Sequence, residues 1–522
     1  MRFIKLIEYR MEEQVQKTER IAKNTLMLYG RMLFSMLVSL YTSRVVLNTL
    51  GVEDYGIYNV VGGVVAMFSL LSGSLSAAVS RFLTFELGKN CKERLVQVFS
   101  TSLLVHIFLA IFILVCIELV GVWFLNNKMV IPDERMYASN WLLQFSMLNF
   151  VVGLISVPYT ASIISHERMA VFAYIGITDS VLKLLIVLSL ELFPGSWDKL
   201  IVYALLLLVI SLFFQGIYWY YCVRNFEECR FRFRVEQSVL REITGFAGWN
   251  FIGASSAVLR DQGGNILLNM FGGPAINAAR GIATSVNVAV CGFVNNFMVA
   301  VNPQITKSYA TGDYDYMMSL IYRSSRFSFY LLLLLSLPII FNSQYILALW
   351  LGIVPEHVVT FVQLILIFAM CESISNPLVT AMLATGKIRN YQLVVGGLQM
   401  MNLPISYLVL KLGAIPESVM MVAIGISISC LIARLFMLRG LIKLSAFDFV
   451  KKVIVNVSLV AVVGMLSPLL LSAYNSPTFF DFCVGTIVCL MSVSLSVYFI
   501  GCTMEERLFI LQKVKQVIQK LR

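Results

Sequence analysis

Long apolar runs, broken by short clusters of charge, glycine and proline, recur along the chain from Leu26 to Ile500. An α-helix rises about 1.5 Å per residue, so a hydrocarbon core of about 30 Å is crossed by about 20 residues. Runs of that length predict about fourteen transmembrane helices. They fall near residues 26–50, 56–80, 97–125, 140–164, 171–193, 199–222, 243–271, 275–301, 324–347, 358–385, 390–411, 417–440, 450–472 and 479–501. Inside a bilayer each segment must satisfy its own backbone hydrogen bonds, so the expected fold class is an all-α polytopic membrane protein. Residues 1–23 are different: Arg2, Lys5, Arg10, Lys17, Arg20 and Lys23 stand among apolar residues. That pattern predicts an amphipathic helix at the inner interface and no cleavable signal.

Composition narrows the function classes. Of 522 residues 59% are hydrophobic and 13% charged, against about 25% charged in soluble domains. A soluble enzyme, a nucleic-acid binder and a secreted disulfide scaffold are excluded. The excess of 40 Lys and Arg over 29 Asp and Glu records orientation once it is placed on the loops. Loops on the side of the termini collect 31 of the basic residues, Arg326 and Arg434 among them, and the opposite side holds Lys128, Arg135, Lys199 and Lys411. Positive charge stays inside, so both termini are expected in the cytoplasm. The opposite loops are too short for a catalytic domain. Ten cysteines contain no C-x-x-C, and His106, His166 and His357 are scattered, so neither a metal site nor histidine catalysis is expected. No G-x-x-x-x-G-K-[ST] phosphate loop occurs, which removes ATP as an internal energy source.

The chain also repeats itself. Leu47-Asn48-Thr49-Leu50-Gly51 closes the first expected span and Leu268-Asn269-Met270-Phe271-Gly272 the seventh. A second glycine follows each after a similar interval, Gly88 after 37 residues and Gly312 after 40. Two parallel six-helix lobes are predicted, a plan that places a substrate route at the repeat interface. The expected segments are a cytoplasmic amphipathic segment 1–23, an N-terminal lobe 24–222, a basic linker 223–242, a C-terminal lobe 243–440, two appended helices within 441–501 and a basic tail 502–522. For the amphipathic stretch 505–522, the inner leaflet and a protein partner are both open readings.

Charges inside spans are costly, by roughly 2.5–3.5 kcal/mol for an arginine at a helix centre, and point to function by default. Arg31 lies about 30 Å below Gly51, where it can snorkel to the interface or face a substrate. Lys183 follows Asp179 by four, the favourable order for a helical ion pair. Arg44, Arg260 and Arg280 lie deeper. A polar stripe accompanies them: Asn277, Arg280, Thr284, Asn287 and Asn295 on the eighth span, and Asn250, Asp261, Asn265 and Asn269 on the seventh. Ser69, Ser72, Ser76 and Ser80 form a similar face that reads equally as small-residue packing. No acidic residue occurs between Ile21 and Val52. Such a constellation fits a hydrated central cavity that receives an anion, with Arg44, Arg260, Arg280, Asn269, Asn277 and Asn287 as binding candidates. Asp261, Asp179 and Glu372 are candidates for coupling to H⁺ or Na⁺, and Asp261 reads also as charge compensation.

At these positions the sequence resembles the polysaccharide-unit flippase branch of the multidrug/oligosaccharidyl-lipid/polysaccharide exporter superfamily, as found in Bacteroides-like bacteria. The resemblance lies in Ser43-Arg44-Val45-Val46-Leu47-Asn48-Thr49-Leu50-Gly51 with Asp54-Tyr55-Gly56-Ile57-Tyr58-Asn59-Val60-Val61-Gly62-Gly63, and in Asn277-Ala278-Ala279-Arg280-Gly281-Ile282-Ala283 with Asn302-Pro303-Gln304-Ile305. It implies two six-helix lobes alternating between inward-open and outward-open states. It also implies transport, without cofactor or enzymatic chemistry, of undecaprenyl-diphosphate-linked oligosaccharide across the bacterial inner membrane for O-antigen, capsule or exopolysaccharide assembly. By resemblance the cavity arginines engage the diphosphate or acidic sugars; Arg260 lies outside the matching motifs. Implied partners are the lipid-linked oligosaccharide, membrane lipids and polysaccharide polymerase or assembly proteins, with no nucleic acid. The energy is expected from an H⁺ or Na⁺ gradient or from the membrane potential. The alternatives are an ion-coupled multidrug exporter of the same superfamily and a membrane glycan polymerase or acyltransferase; a scaffold role is compatible with transport.

Overall fold

A computed structural model of the chain describes residues 2–66, 68–127, 131–190, 197–230, 236–351, 354–472, 479–508 and 511; the side chains of 2–18 and of some further helical residues, Arg44 and Asn277 among them, lie outside the described set. Helices account for nearly all of it, and no strand occurs among the described residues. In chain order they are α1 (Arg2–Ala66), α2 (Ser69–Lys89), α3 (Lys92–Asn127), α4 (Asp133–Ser165), α5 (Met169–Ser189), α6 (Lys199–Asn225) and α7 (Gln237–Thr311). There follow α8 (Tyr314–Phe341), α9 (Ser343–Leu351), α10 (Val358–Thr385), α11 (Arg389–Lys411), α12 (Ser418–Ile442), α13 (Ala446–Leu470) and α14 (Phe479–Gly501). Among the described residues 11 helices are long and apolar enough to cross a membrane, and they coincide with the expected spans three to six and eight to fourteen. Large apolar side chains such as Phe108, Phe112, Leu119 and Trp123 are exposed on them. This is a multi-pass membrane protein.

The first, second and seventh expected spans fall on α1, α2 and the first part of α7, outside that group. No break separates residues 1–23 from the first span: α1 contains neither Gly nor Pro before Gly30, and its Glu, Gln, Lys and Arg favour helix. Nor is the second span one helix. The consecutive glycines Gly62 and Gly63 weaken the end of α1, and α2 begins only at Ser69. Sharp kinks occur at Gly51 (φ 84°, ψ 169°) and Gly273 (φ 77°, ψ −177°), a region of backbone space open essentially to glycine alone. The repeated motif therefore marks a kink in each half, although in the second it falls on Gly273 and not on Gly272.

Two compact units emerge. The first is Met1–Ala254 with Thr306–Gly312, and the second is Ser255–Ile305 with Asp313–Arg522. In the first unit α4 packs against α2, α3 and α6, and α1 against α5, over a core that includes Val61, Ile113, Leu142, Leu143 and Leu154. At one end Arg135 joins three elements: it donates to Asp54 of α1 and, through Nη1 at 2.7 Å, to Asp198, whose carboxylate also caps α6 through Leu200 N at 2.9 Å. At the other end the buried Glu167, in a left-handed turn, takes Arg20 at 3.0 Å and Lys307 at 2.6 Å. Removing either basic partner leaves half of a buried carboxylate short of counter-charge.

In the second unit α8 packs against α10, α13 and α14, and α12 against α10 and α11. Arg326 and Arg434 change the charge map read from sequence, where both were placed with the cytoplasmic loops. Arg326 is buried in α8, donating to Gly501 O and to Glu506, both at 2.7 Å. Arg434 is buried in α12. Each is tolerated because an acceptor meets it inside the protein. Without these two, the basic bias toward that side remains large.

Candidate functional site

The second unit gathers most of its intramembrane charge where α7 faces α10 and α12. Arg260 on α7 directs its guanidinium over the ring of Phe368 on α10, 5.1 Å from the centroid. Its Nε donates to Asp261 Oδ1 at 2.9 Å and its Nη2 to Oδ2 at 3.3 Å. One turn beyond Phe368 stands Glu372, the second carboxylate close enough to act on Arg260. Glu372 accepts a hydrogen bond from Ser427 on α12. Seven residues along the same face, Arg434 is 2% exposed and donates from Nε to Tyr391 Oη at 3.4 Å; its Nη1 has no hydrogen-bond partner among the described residues.

Arg280 completes the group. It is 7% exposed, and neither Nε nor Nη1 has a hydrogen-bond partner among the described residues. Its guanidinium lies against the backbone of Gly264: a Cβ there would meet Nη1 at 2.6 Å and Nη2 at 3.1 Å. Asp261 and Arg260 are the charged groups that act on it, but among the described residues no carboxylate bonds it. Three guanidinium groups thus stand with two carboxylates, and both carboxylates are already engaged. Burying an unpaired charge costs several kcal/mol, and a guanidinium in that condition is a ready donor for a bidentate oxyanion such as phosphate.

The remaining sequence candidates fall elsewhere. Asn269 is exposed on α7. Asn287 accepts from Cys291 Sγ at 3.3 Å, one turn along its own helix. Asp179 belongs to the first unit and pairs with Lys183 at 2.7 Å, the helical pair that their spacing predicts. Arg31 packs over the ring of Phe172 at 4.4 Å. The side chains of Arg44 and Asn277 lie outside the described residues. Of the histidines, His106 Nδ1 meets Ser102 O at 2.8 Å, while His166 and His357 each lie 2.6 Å from a glutamate. Among the described residues no three His, Cys, Asp or Glu side chains converge as a metal site would require.

Sequence reasoning passed over Gly264, Arg434, Ser427 and Tyr391. Gly264 carried a usable signal, since it follows Asp261 by three and so sits on the polar face of α7 where no side chain was read. Arg434 lies 16 residues into α12, about 24 Å along a helix, and its burial is explained by groups on other helices, Tyr391 on α11 and Glu372 on α10.

Similarity to known proteins extends over most of the chain. The family described as polysaccharide biosynthesis protein matches residues 21–309. No curated protein matches the sequence. Among solved structures, a MATE protein crystallised with the ligand MaD3S is similar over 82% of this chain and 97% of its own, with a TM-score of 0.70 at 13% identity. An outward-facing multidrug resistance MATE family transporter of the MOP superfamily matches with the same score and coverage of 82% and 96%, at 14% identity. A MOP superfamily transporter from Pyrococcus furiosus, whose binding pocket is described as reversed in polarity, scores 0.70 at 12% identity, covering 82% and 96%. At these identities the likeness establishes the fold.

Proposed function

Because the chain belongs to the polysaccharide biosynthesis protein family, we propose that it is an exporter that moves an undecaprenyl-diphosphate-linked oligosaccharide from the cytoplasmic to the periplasmic leaflet of a bacterial inner membrane. The product feeds surface polysaccharide assembly, such as O-antigen, capsule or exopolysaccharide. The observation that carries the reading is Arg280, buried near Arg260 with neither Nε nor Nη1 bonded to an acceptor among the described residues. A cation exporter needs an uncompensated carboxylate at its site; here the uncompensated group is a guanidinium.

The diphosphate is the part of such a cargo that hydrocarbon rejects, and the lipid tail can remain in the bilayer throughout. Arginine replaces the water lost by the phosphates with charge-assisted hydrogen bonds. Asparagine side chains and backbone along the polar face of α7 serve the sugars. The site then opens alternately to the two sides of the membrane, with both termini in the cytoplasm. Outward movement of an anion gains about 2.3 kcal/mol per charge for each 100 mV of inside-negative potential. An H⁺ or Na⁺ gradient acting at Asp261 or Glu372 is the second source. Assembly proteins on the periplasmic side, a polymerase among them, take the cargo onward.

The test is a deletion strain that accumulates lipid-linked glycan on the cytoplasmic leaflet, complemented with Arg280→Ala, Arg260→Ala and Arg44→Ala. Loss of surface polysaccharide with Arg280→Ala at normal membrane abundance supports the site. Full restoration by all three variants overturns it.

A further inference from the structure

We infer that Asp261 is an internal competitor for the cargo's diphosphate, holding Arg260 while the site is empty and yielding it to the anion that Arg280 captures. The inference rests on the anion-binding reading of the site and adds to it a mechanism of release.

The two arginines stand in different conditions. Arg280 is the open one. Its guanidinium lies against α7 at Gly264, which has no side chain to hold it off, and among the described residues no carboxylate bonds it. Arg260 is occupied at both Nε and Nη2 by the two oxygens of its neighbour in sequence. Adjacent residues on a helix point about 100° apart and do not ordinarily face each other, so Arg260 curls sideways to reach Asp261. The burial of the pair is unequal: the Arg260 side chain is 14% exposed and the Asp261 side chain 55%. Stripping this guanidinium of the carboxylate it now holds is costly unless another anion takes its place. A carboxylate so exposed can swing into water at little cost, as exposed ion pairs contribute at most about 1 kcal/mol. Glu372 is unsuited to the exchange because Ser427 already holds it.

The ligand class follows. A single phosphoryl group is served by Arg280 alone and leaves Asp261 in place. A diphosphate reaches both arginines, displaces Asp261 from Arg260, and is released when the carboxylate returns. Asp261 thereby confines the cost of exchange to ligands with two adjacent phosphoryl groups. It also keeps the site from retaining what it captures.

The experiment measures binding of inorganic diphosphate and of inorganic phosphate to the purified full-length chain in lipid nanodiscs, at constant ionic strength. Asp261→Asn and Asp261→Ser are each expected to bind diphosphate about fivefold more tightly than the unmodified chain and phosphate unchanged. Adding Arg260→Gln is expected to remove the gain, and Arg280→Gln to weaken both ligands. The thermal stability of the empty Asp261 variants is expected to fall and to recover with diphosphate, which distinguishes lost counter-charge from general damage. Equal or weaker diphosphate binding by both Asp261 variants, while Arg280→Gln still weakens it, overturns the exchange and leaves the anion site standing. Absence of binding to any form, the unmodified chain included, overturns both.

Discussion

The Nη1 atom of Arg280 lies 2.6 Å from the point that a Cβ on Gly264 would occupy. The obstructed atom is the far end of a flexible side chain, so Gly264→Ala displaces the guanidinium and leaves the helix intact. Within a helix the same change is intrinsically favourable by about 1 kcal/mol. Gly264→Ala is therefore expected to lose surface-polysaccharide complementation while the melting temperature of the purified protein stays equal or rises. Normal complementation would show that the seat of Arg280 has no functional role.

A second expectation concerns Glu506, which is 5% exposed and receives Arg326 at 2.7 Å and Arg323 at 3.2 Å. Glu506→Gln keeps the shape and removes the charge, leaving Arg326 buried without a counter-ion. Breaking a buried pair in this way costs about 3–5 kcal/mol. The half-exposed Asp179 and Lys183 pair, removed by Asp179→Asn, is expected to cost no more than about 1 kcal/mol. Thermal unfolding of the two variants in the same detergent checks the ranking.

These particulars bear on what was legible in the sequence. Helices α3 to α6 and those from α8 onward, α9 apart, announced themselves because apolar length alone specifies a membrane span. Arg260 was found by its depth inside an expected span, and Arg280 by its depth and its place on one polar face, which use only spacing. Gly264 and Arg434 were not, since the worth of a missing side chain or of a buried arginine depends on what another segment places against it. Arg326 was misplaced for the same reason: its partners Gly501 and Glu506 are more than 170 residues away. The seventh span was expected to close at Gly272, one residue before the kink at Gly273, because a pair of glycines offers two equivalent positions and the sequence does not choose between them.

Asp54 and Asp198 share Arg135, but only Asp198 also caps a helix, accepting from Leu200 N at 2.9 Å and Ile201 N at 3.3 Å. Loss of an N-cap costs about 1 kcal/mol. Asp198→Ala is accordingly expected to destabilise the protein by about 1 kcal/mol more than Asp54→Ala. Equal melting temperatures would contradict this division of roles.

Orientation is open to chemical labelling. Cys91 is exposed in the turn between α2 and α3, on the side to which the basic loops assign the cytoplasm. In a variant that keeps Cys91 as its single cysteine, a membrane-impermeant maleimide is expected to react only after the cells are permeabilised. Labelling in intact cells would invert the assigned topology.

The most direct test reconstitutes the purified chain in liposomes with a fluorescent polyprenyl-diphosphate oligosaccharide and follows how much of the glycan becomes accessible to a glycosidase added outside. Unmodified protein is expected to expose the inner-leaflet pool within minutes, and Arg280→Ala to leave it protected as in protein-free vesicles. If the pool stays protected with the unmodified protein, under an imposed membrane potential and under H⁺ or Na⁺ gradients alike, the chain does not move this cargo.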